Sequence, residues 1–144
     1  MEKIRLKVKY FNPACKLEII EKGDWVDVRS AQTVDYKAGE VVKIYLGFAM
    51  KLPDGKEAHV LPRSSTFKKW GLILVNSEGI IDNTFNGDND QWFVNFLAFR
   101  DGHIDMGDRV GQFRIYDKMS SIDFEEVAVL GNPDRGGEGS TGHK

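Results

Sequence analysis

One carboxylate and one aromatic ring three residues apart, Asp82 and Phe85, stand in the stretch 76–87, which reads Asn-Ser-Glu-Gly-Ile-Ile-Asp-Asn-Thr-Phe-Asn-Gly. Asp82 follows the apolar pair Ile80-Ile81, and Gly79 and Gly87 permit tight turns on either side. An acid fixed beside a flat apolar plate suits a small ligand that has a ring and a bond to be cleaved by water. A Gly-Ile-Ile-Asp hairpin is by itself a common structural turn, so its weight comes from the company it keeps.

Two other groups of residues could handle an anion. Pro62-Arg63-Ser64-Ser65 interrupts a strand pattern, and Ser64 or Ser65 can cap a short helical piece that runs to Trp70 and is closed by Gly71. An arginine and two hydroxyls then meet free backbone N–H groups at a helix start, a plausible phosphate seat. A capped turn with a surface arginine explains the same residues equally well. The C-terminal run 131–144 sets Arg135, Ser140 and Thr141 among glycines, which let backbone N–H groups close on an anion. No apolar group anchors that run, so a flexible tail is expected there, and a tail without function is its plain alternative.

These groups need a scaffold, and its pattern is that of strands. Ile4, Leu6, Val8 and Tyr10 alternate with Lys3, Arg5, Lys7 and Lys9. Residues 17–20 form a second short apolar run, and 25–29 a third, in which Asp27 interrupts apolar neighbours. The span 41–52 is the longest strand-like segment, ended by the turn Pro53-Asp54-Gly55, and 58–61 resumes the sheet. In 91–99, Trp92, Val94, Phe96 and Ala98 share the face assigned to the core, and Phe93, Asn95, Leu97 and Phe99 share the other. Arg100-Asp101-Gly102 and Gly107-Asp108-Arg109 are turns, 110–116 is a strand containing Gln112, and 124–130 is a last strand. Many short strands with Gly, Pro and Asp punctuation and almost no helical period predict an all-β sandwich or barrel. Residues 1–130 form one domain, followed by the tail 131–144.

Composition narrows the function classes. The chain has 144 residues, enough for one domain with a sizeable core. Cys15 is the single cysteine, which leaves no intrachain disulfide and no thiolate metal cluster and fits a reducing, cytoplasmic setting. The charged, alternating N-terminus is unlike a signal peptide, and no apolar run is long enough for a membrane span. A net charge of -2 without a basic stripe provides no field for nucleic acid. His59, His103 and His143 lack metal-ligand spacing and are assigned surface or satisfied core roles. Asp88, Asn89 and Asp90 are a solvated turn, since the other ligands of a calcium loop are absent.

Read together, the segments resemble the trimeric deoxyuridine triphosphatase (dUTPase) family, which hydrolyses dUTP to dUMP and pyrophosphate. Its five motifs have counterparts here in order. Asp27-Val28-Arg29 resembles the first, Pro62-Arg63-Ser64-Ser65 the second and 76–87 the third. Gly107-Asp108-Arg109-Val110-Gly111-Gln112 resembles the fourth, and Arg135-Gly136 with Gly139-Ser140-Thr141-Gly142 the fifth. The resemblance implies a distorted, jelly-roll-like β-barrel of the β-clip kind and a homotrimer whose subunits share active sites. It gives Asp82 the role of activating water and meeting the 3′-hydroxyl. Phe85 stands where the family has a tyrosine packed on the deoxyribose, and keeps the ring bulk that excludes a 2′-hydroxyl. Uracil would be read by hairpin groups near Asn76, Gly79 and Ile81. Arg63, Ser64, Ser65 and Arg109 would hold phosphates, and Gln112 the water and the α-phosphate. Arg135, Ser140 and Thr141 would close over the γ-phosphate. Magnesium would ride on the triphosphate, with Asp27 reaching it through water.

The fifth motif departs from the family pattern. It is two residues shorter than usual, and Glu138 stands beside the place of the aromatic lid. Phe93 is assigned as the substitute lid, with Trp92 as the fallback, and Glu138 is expected to point away from the triphosphate. A dCTP deaminase shares the fold and the Pro-Arg-Ser-Ser segment, but it needs a glutamate after the third motif, and residues 80–124 contain none. A dUTP-sensing module without turnover is the alternative from another class.

Overall fold

The computed structural model describes residues 3–137. Among these, eleven strands alternate with turns around one five-residue helix and one 3-10 turn, Pro13–Cys15. A four-stranded antiparallel sheet runs in the order β2 (Val26–Arg29), β11 (Arg109–Asp117), β6 (Lys56–Leu61), β8 (Gly79–Ile81). A three-stranded sheet runs β4 (Val41–Tyr45), β9 (Phe93–Ala98), β7 (Leu72–Leu74). Two antiparallel ribbons complete the fold: β1 (Lys7–Tyr10) with β5 (Phe48–Lys51), and β3 (Val34–Tyr36) with β10 (Gly102–Ile104). The expected all-β, jelly-roll-like architecture is what the chain adopts.

The period-2 pattern is used as the pleat requires. In β9, Val94, Phe96 and Ala98 are buried and Phe93 is exposed; in β4, Val42 and Ile44 point inward. Trp92 is fully buried, its ring centroid 4.8 Å from Phe48 and 5.2 Å from Phe113. That cluster ties β5, β9 and β11 into one core.

Four expectations about elements are corrected. The span 41–52 is two strands, not one, broken at Leu46-Gly47. Gly47 has φ 77°, and a Cβ there would lie 2.6 Å from Cys15 Cβ and Sγ. The corner lets the chain leave the ladder with β9 and join β1, which a continuous strand could not do. Residues 124–130 form no strand. No described strand lies beside them to complete a ladder, and Phe124 and Leu130 are 88% and 89% exposed. Residues 17–20 form no strand either: Leu17 packs on the core and Ile19 faces solvent. Conversely, the turn expected at residues 100–102 leads directly into β10, whose three residues were too few to show a period.

The helix α1 (Thr66–Trp70) falls where expected and is closed by Gly71 at φ 68°, whose N–H donates to the Phe67 carbonyl at 2.7 Å. Ser65 occupies the N-cap position, but its side chain makes no capping bond. Thr66 does the local work instead, its Oγ1 accepting from the Arg63 N–H at 2.8 Å and donating to the Val110 carbonyl at 3.4 Å. No helix among the described residues is long and apolar enough to cross a membrane.

Candidate active site

The hairpin from β7 through β8 and the start of β9 enclose a cavity of about 390 Å³ lined by Asn76, Gly79, Ile80, Ile81, Asp82, Thr84, Phe85 and Phe93. That volume lies in the range of small-ligand pockets. The third-motif residues and Phe93, six residues beyond Gly87, therefore line one cavity. A larger groove of about 570 Å³ between the β1 side and β11 is lined mainly by apolar side chains such as Leu6, Val8, Leu17, Val26 and Phe113, with Asp24 and Arg114 3.9 Å apart among them.

Local chemistry fixes the carboxylate. Asp82 begins a turn in which Phe85 N–H donates to the Asp82 carbonyl at 3.1 Å and Thr84 N–H donates to Asp82 Oδ1 at 2.8 Å. The Thr84 backbone bond, then its hydroxyl and the charge of Lys118, hold the Asp82 carboxyl below its ordinary value of 3.8. Asp82 is thus an exposed carboxylate, ionised at neutral pH and oriented by one N–H. Phe85 is half-buried and packs against the core, so its ring is a fixed plate. Phe93 is 38% exposed, meets Tyr45 edge-on at 6.1 Å and carries Lys43 Nζ 4.3 Å from its centroid. Trp92 faces the opposite way, inside the core, so the fallback assignment of Trp92 as a lid is excluded by its burial. Thr84 and Ile80 were not singled out as site residues from sequence. The Asp-x-Thr spacing of an Asx turn was the available signal for Thr84.

The second group assembles where β2, β6 and β11 end together. Asp27 pairs with Gln112 across β2 and β11, and Gln112 pairs with Leu61 across β11 and β6. Arg63 Nε lies 3.1 Å from Asp27 Oδ1, and Arg109 Nε lies 3.8 Å from Asp27 Oδ2. Gln112 Nε2 donates to the Pro62 carbonyl at 3.1 Å. The interrupting Asp27 of the sequence is therefore the carboxylate that holds two arginines at one sheet end. Exposed Ser64 and half-buried Ser65, free of capping bonds, adjoin them. Arg29, part of the first motif but given no role of its own from the sequence, donates from Nη1 to the Gly107 carbonyl at 2.8 Å and so secures the turn before Arg109.

The two groups do not meet within one chain. Ile81 is level with Ala58 and Gln112 with Leu61, so Asp82 and Gln112 differ by four strand positions and two strand spacings. At ~3.3 Å per residue and ~4.8 Å per strand they are roughly 16 Å apart. A water cannot contact both. Arg135 is exposed, while Ser140, Thr141 and Glu138 lie outside the described residues. Among the described residues no group of three or more His, Cys, Asp or Glu is arranged to hold a metal ion.

A ring-lined pocket with an ionised carboxylate, and a separate seat of arginines and hydroxyls, on a jelly-roll β-domain define a nucleotide-handling hydrolase. The dUTPase family model matches residues 25–142, and the chain belongs to that family of enzymes, which hydrolyse dUTP to dUMP. It is 50% identical over 142 residues to the SPbeta prophage-derived deoxyuridine 5′-triphosphate nucleotidohydrolase YosS of Bacillus subtilis, covering 98% of this chain and 100% of the relative. It is 34% identical over 145 residues to the deoxyuridine 5′-triphosphate nucleotidohydrolase of Finegoldia magna, covering 98% and 99%. In fold it is similar to a Staphylococcus bacteriophage 80alpha dUTPase mutant bound to dUpNHpp, with TM-score 0.78 at 19% identity over 98% of this chain and 100% of that one. A mutant dUTPase of phage phi11 of S. aureus, described with a structural Mg(II) ion, has TM-score 0.76 at 18% identity over 88% and 99%.

Proposed function

We propose that this chain cleaves dUTP at the α-phosphorus, with the base and sugar in the pocket of one copy and the phosphates on the arginine seat of another. The observation that carries this is the ~16 Å separation of Asp82 from Gln112 within one chain, which makes either half incomplete alone. A homotrimer with shared sites supplies the missing half. The exposed apolar side chains of Met119, Ile122, Phe124 and Leu130, beyond the last strand, favour contact with other copies.

In the assembled site Asp82 takes a proton from water, whose oxygen bonds to the α-phosphorus as the bond to the bridging oxygen breaks and pyrophosphate leaves. Gln112 steadies the water and the α-phosphate. Asn76, Gly79 and Ile81 read uracil through the hairpin backbone, Phe85 packs on the deoxyribose, and Phe93 covers the base. Arg63, Ser64, Ser65 and Arg109 hold the phosphates, with Arg135, Ser140 and Thr141 closing over the γ-phosphate from the tail 131–144. Magnesium bound to the triphosphate would neutralise part of its charge. The Asp27 oxygens already face Arg63 and Arg109, which fits an outer-shell place reached through water rather than direct ligation. The work is done by a soluble, cytoplasmic enzyme, without nucleic acid or membrane.

Incubating the protein with magnesium and either dUTP or dCTP tests the assignment. Pyrophosphate from dUTP is expected, and Asp82→Asn should abolish it while leaving nucleotide binding. Ammonia from dCTP would indicate a deaminase, and binding of dUTP without turnover a sensing module.

A further inference from the structure

Behind the hairpin that lines the pocket, His59 on β6 lies between two carboxylates. Its Nε2 is 2.5 Å from Glu57 Oε2 on the same strand, and its Nδ1 is 2.5 Å from Glu78 Oε1 in the turn joining β7 to β8. Each ring nitrogen therefore has a carboxylate oxygen within hydrogen-bond distance, one on its own strand and one on the pocket's turn. The ring also lies against Tyr116 on β11, with centroids 4.1 Å apart and planes at 31°, and the Arg114 guanidinium lies 5.6 Å from the Tyr116 ring centroid. The His59 side chain is 19% exposed, so these contacts are shielded from bulk water.

The partner on the turn is well placed. Glu78 stands between Asn76 and Gly79, both of which line the pocket. Its N–H donates to the Asn76 carbonyl at 2.6 Å, and the preceding Ser77 is held at φ 62°, a left-handed conformation costly for a residue with a Cβ. A turn of this shape persists only where surrounding contacts over-determine it. His59 supplies such a contact, anchored in turn by β6 and β11.

We infer that His59 is a positioning residue for nucleotide binding, acting through Glu78 to hold the pocket's turn in its binding-competent shape. This rests on the assignment of that pocket to the base and sugar of dUTP. Neither side chain lines the pocket, so their loss lowers the fraction of chains ready to bind and leaves the chemical step alone. The expected result for His59→Gln and for Glu78→Ala is a KM for dUTP raised about three- to tenfold with kcat within about twofold of wild type. Glu78→Gln keeps a polar side chain of the same length facing Nδ1 and should recover most of the loss. A purely structural role would lower the melting temperature without this split and without rescue. Glu78→Ala, in an exposed turn, serves where His59→Gln fails to fold. Wild-type cleavage of dUTP with KM unchanged in Glu78→Ala would overturn the inference alone. Absence of cleavage by the wild type would overturn the function first and the inference with it.

Discussion

Truncating Phe93 to alanine separates a residue that covers a ligand from one that builds the core. In the chain alone Phe93 is 38% exposed, meets Tyr45 at its edge and carries Lys43 Nζ over its face. Its removal gives up the cross-strand contact with Tyr45 and the Lys43 contact, about 1–2 kcal/mol of folding free energy, well below the ~3–5 kcal/mol of truncating a buried aromatic. If the ring stacks on uracil, the loss appears in binding. Base–aromatic stacking contributes about 1–3 kcal/mol per base, or about 5- to 150-fold in affinity. The assay is calorimetric titration of a non-hydrolysable dUTP analogue with magnesium, paired with kcat/KM from pyrophosphate release. Phe93→Leu should fall between wild type and alanine, since it keeps apolar bulk without the planar face. Equal affinity and equal kcat/KM for Phe93→Ala and wild type would refute the assignment.

The neighbouring Trp92→Ala should do the reverse, lowering stability by about 3–5 kcal/mol in denaturant titration because a fully buried indole leaves a cavity between Phe48 and Phe113. Because Thr84 holds the Asp82 carboxyl below 3.8, the acid limb of kcat/KM should lie below that value, and a limb near neutrality would show that another group is the base. His103 sits 2.6 Å from Asp105 and 2.6 Å from Asp35, and these bonds, Asp105 first, raise it above its ordinary 6.5. The sign follows: its contribution to stability is fully present below pH 6.5 and disappears as pH rises through the raised folded value. Melting temperatures of wild type and His103→Asn should therefore differ at acid pH and converge at alkaline pH, the difference staying small because the pair is exposed.

Much of the fold was legible because it rests on local chemistry. Alternation in β9 set Val94, Phe96 and Ala98 inward without any knowledge of their partners, and Gly71 closed α1 because a left-handed residue is needed there. The site was legible as a list of residue types in order. Burial removed Trp92 as a candidate for covering the base and left Phe93 at the pocket, on the opposite face that the pattern alone had already given it. What stayed hidden depended on contacts distant in sequence. The break at Gly47 exists because Cys15 lies against it, and the ribbon of β3 and β10 is too short to show a period.

By itself, the sequence determined the all-β class, the inward and outward faces of its longer strands and the chemical inventory of the site, since these follow from side-chain type and spacing along a pleated chain. Only the tertiary structure decided where those groups stand. Strand register places Asp82 at one end of β6 and Gln112 at the other, and it brings Asp27 between two arginines and His59 against the hairpin turn. Register is set by which strands pack together, and that information belongs to the folded whole rather than to any stretch of residues.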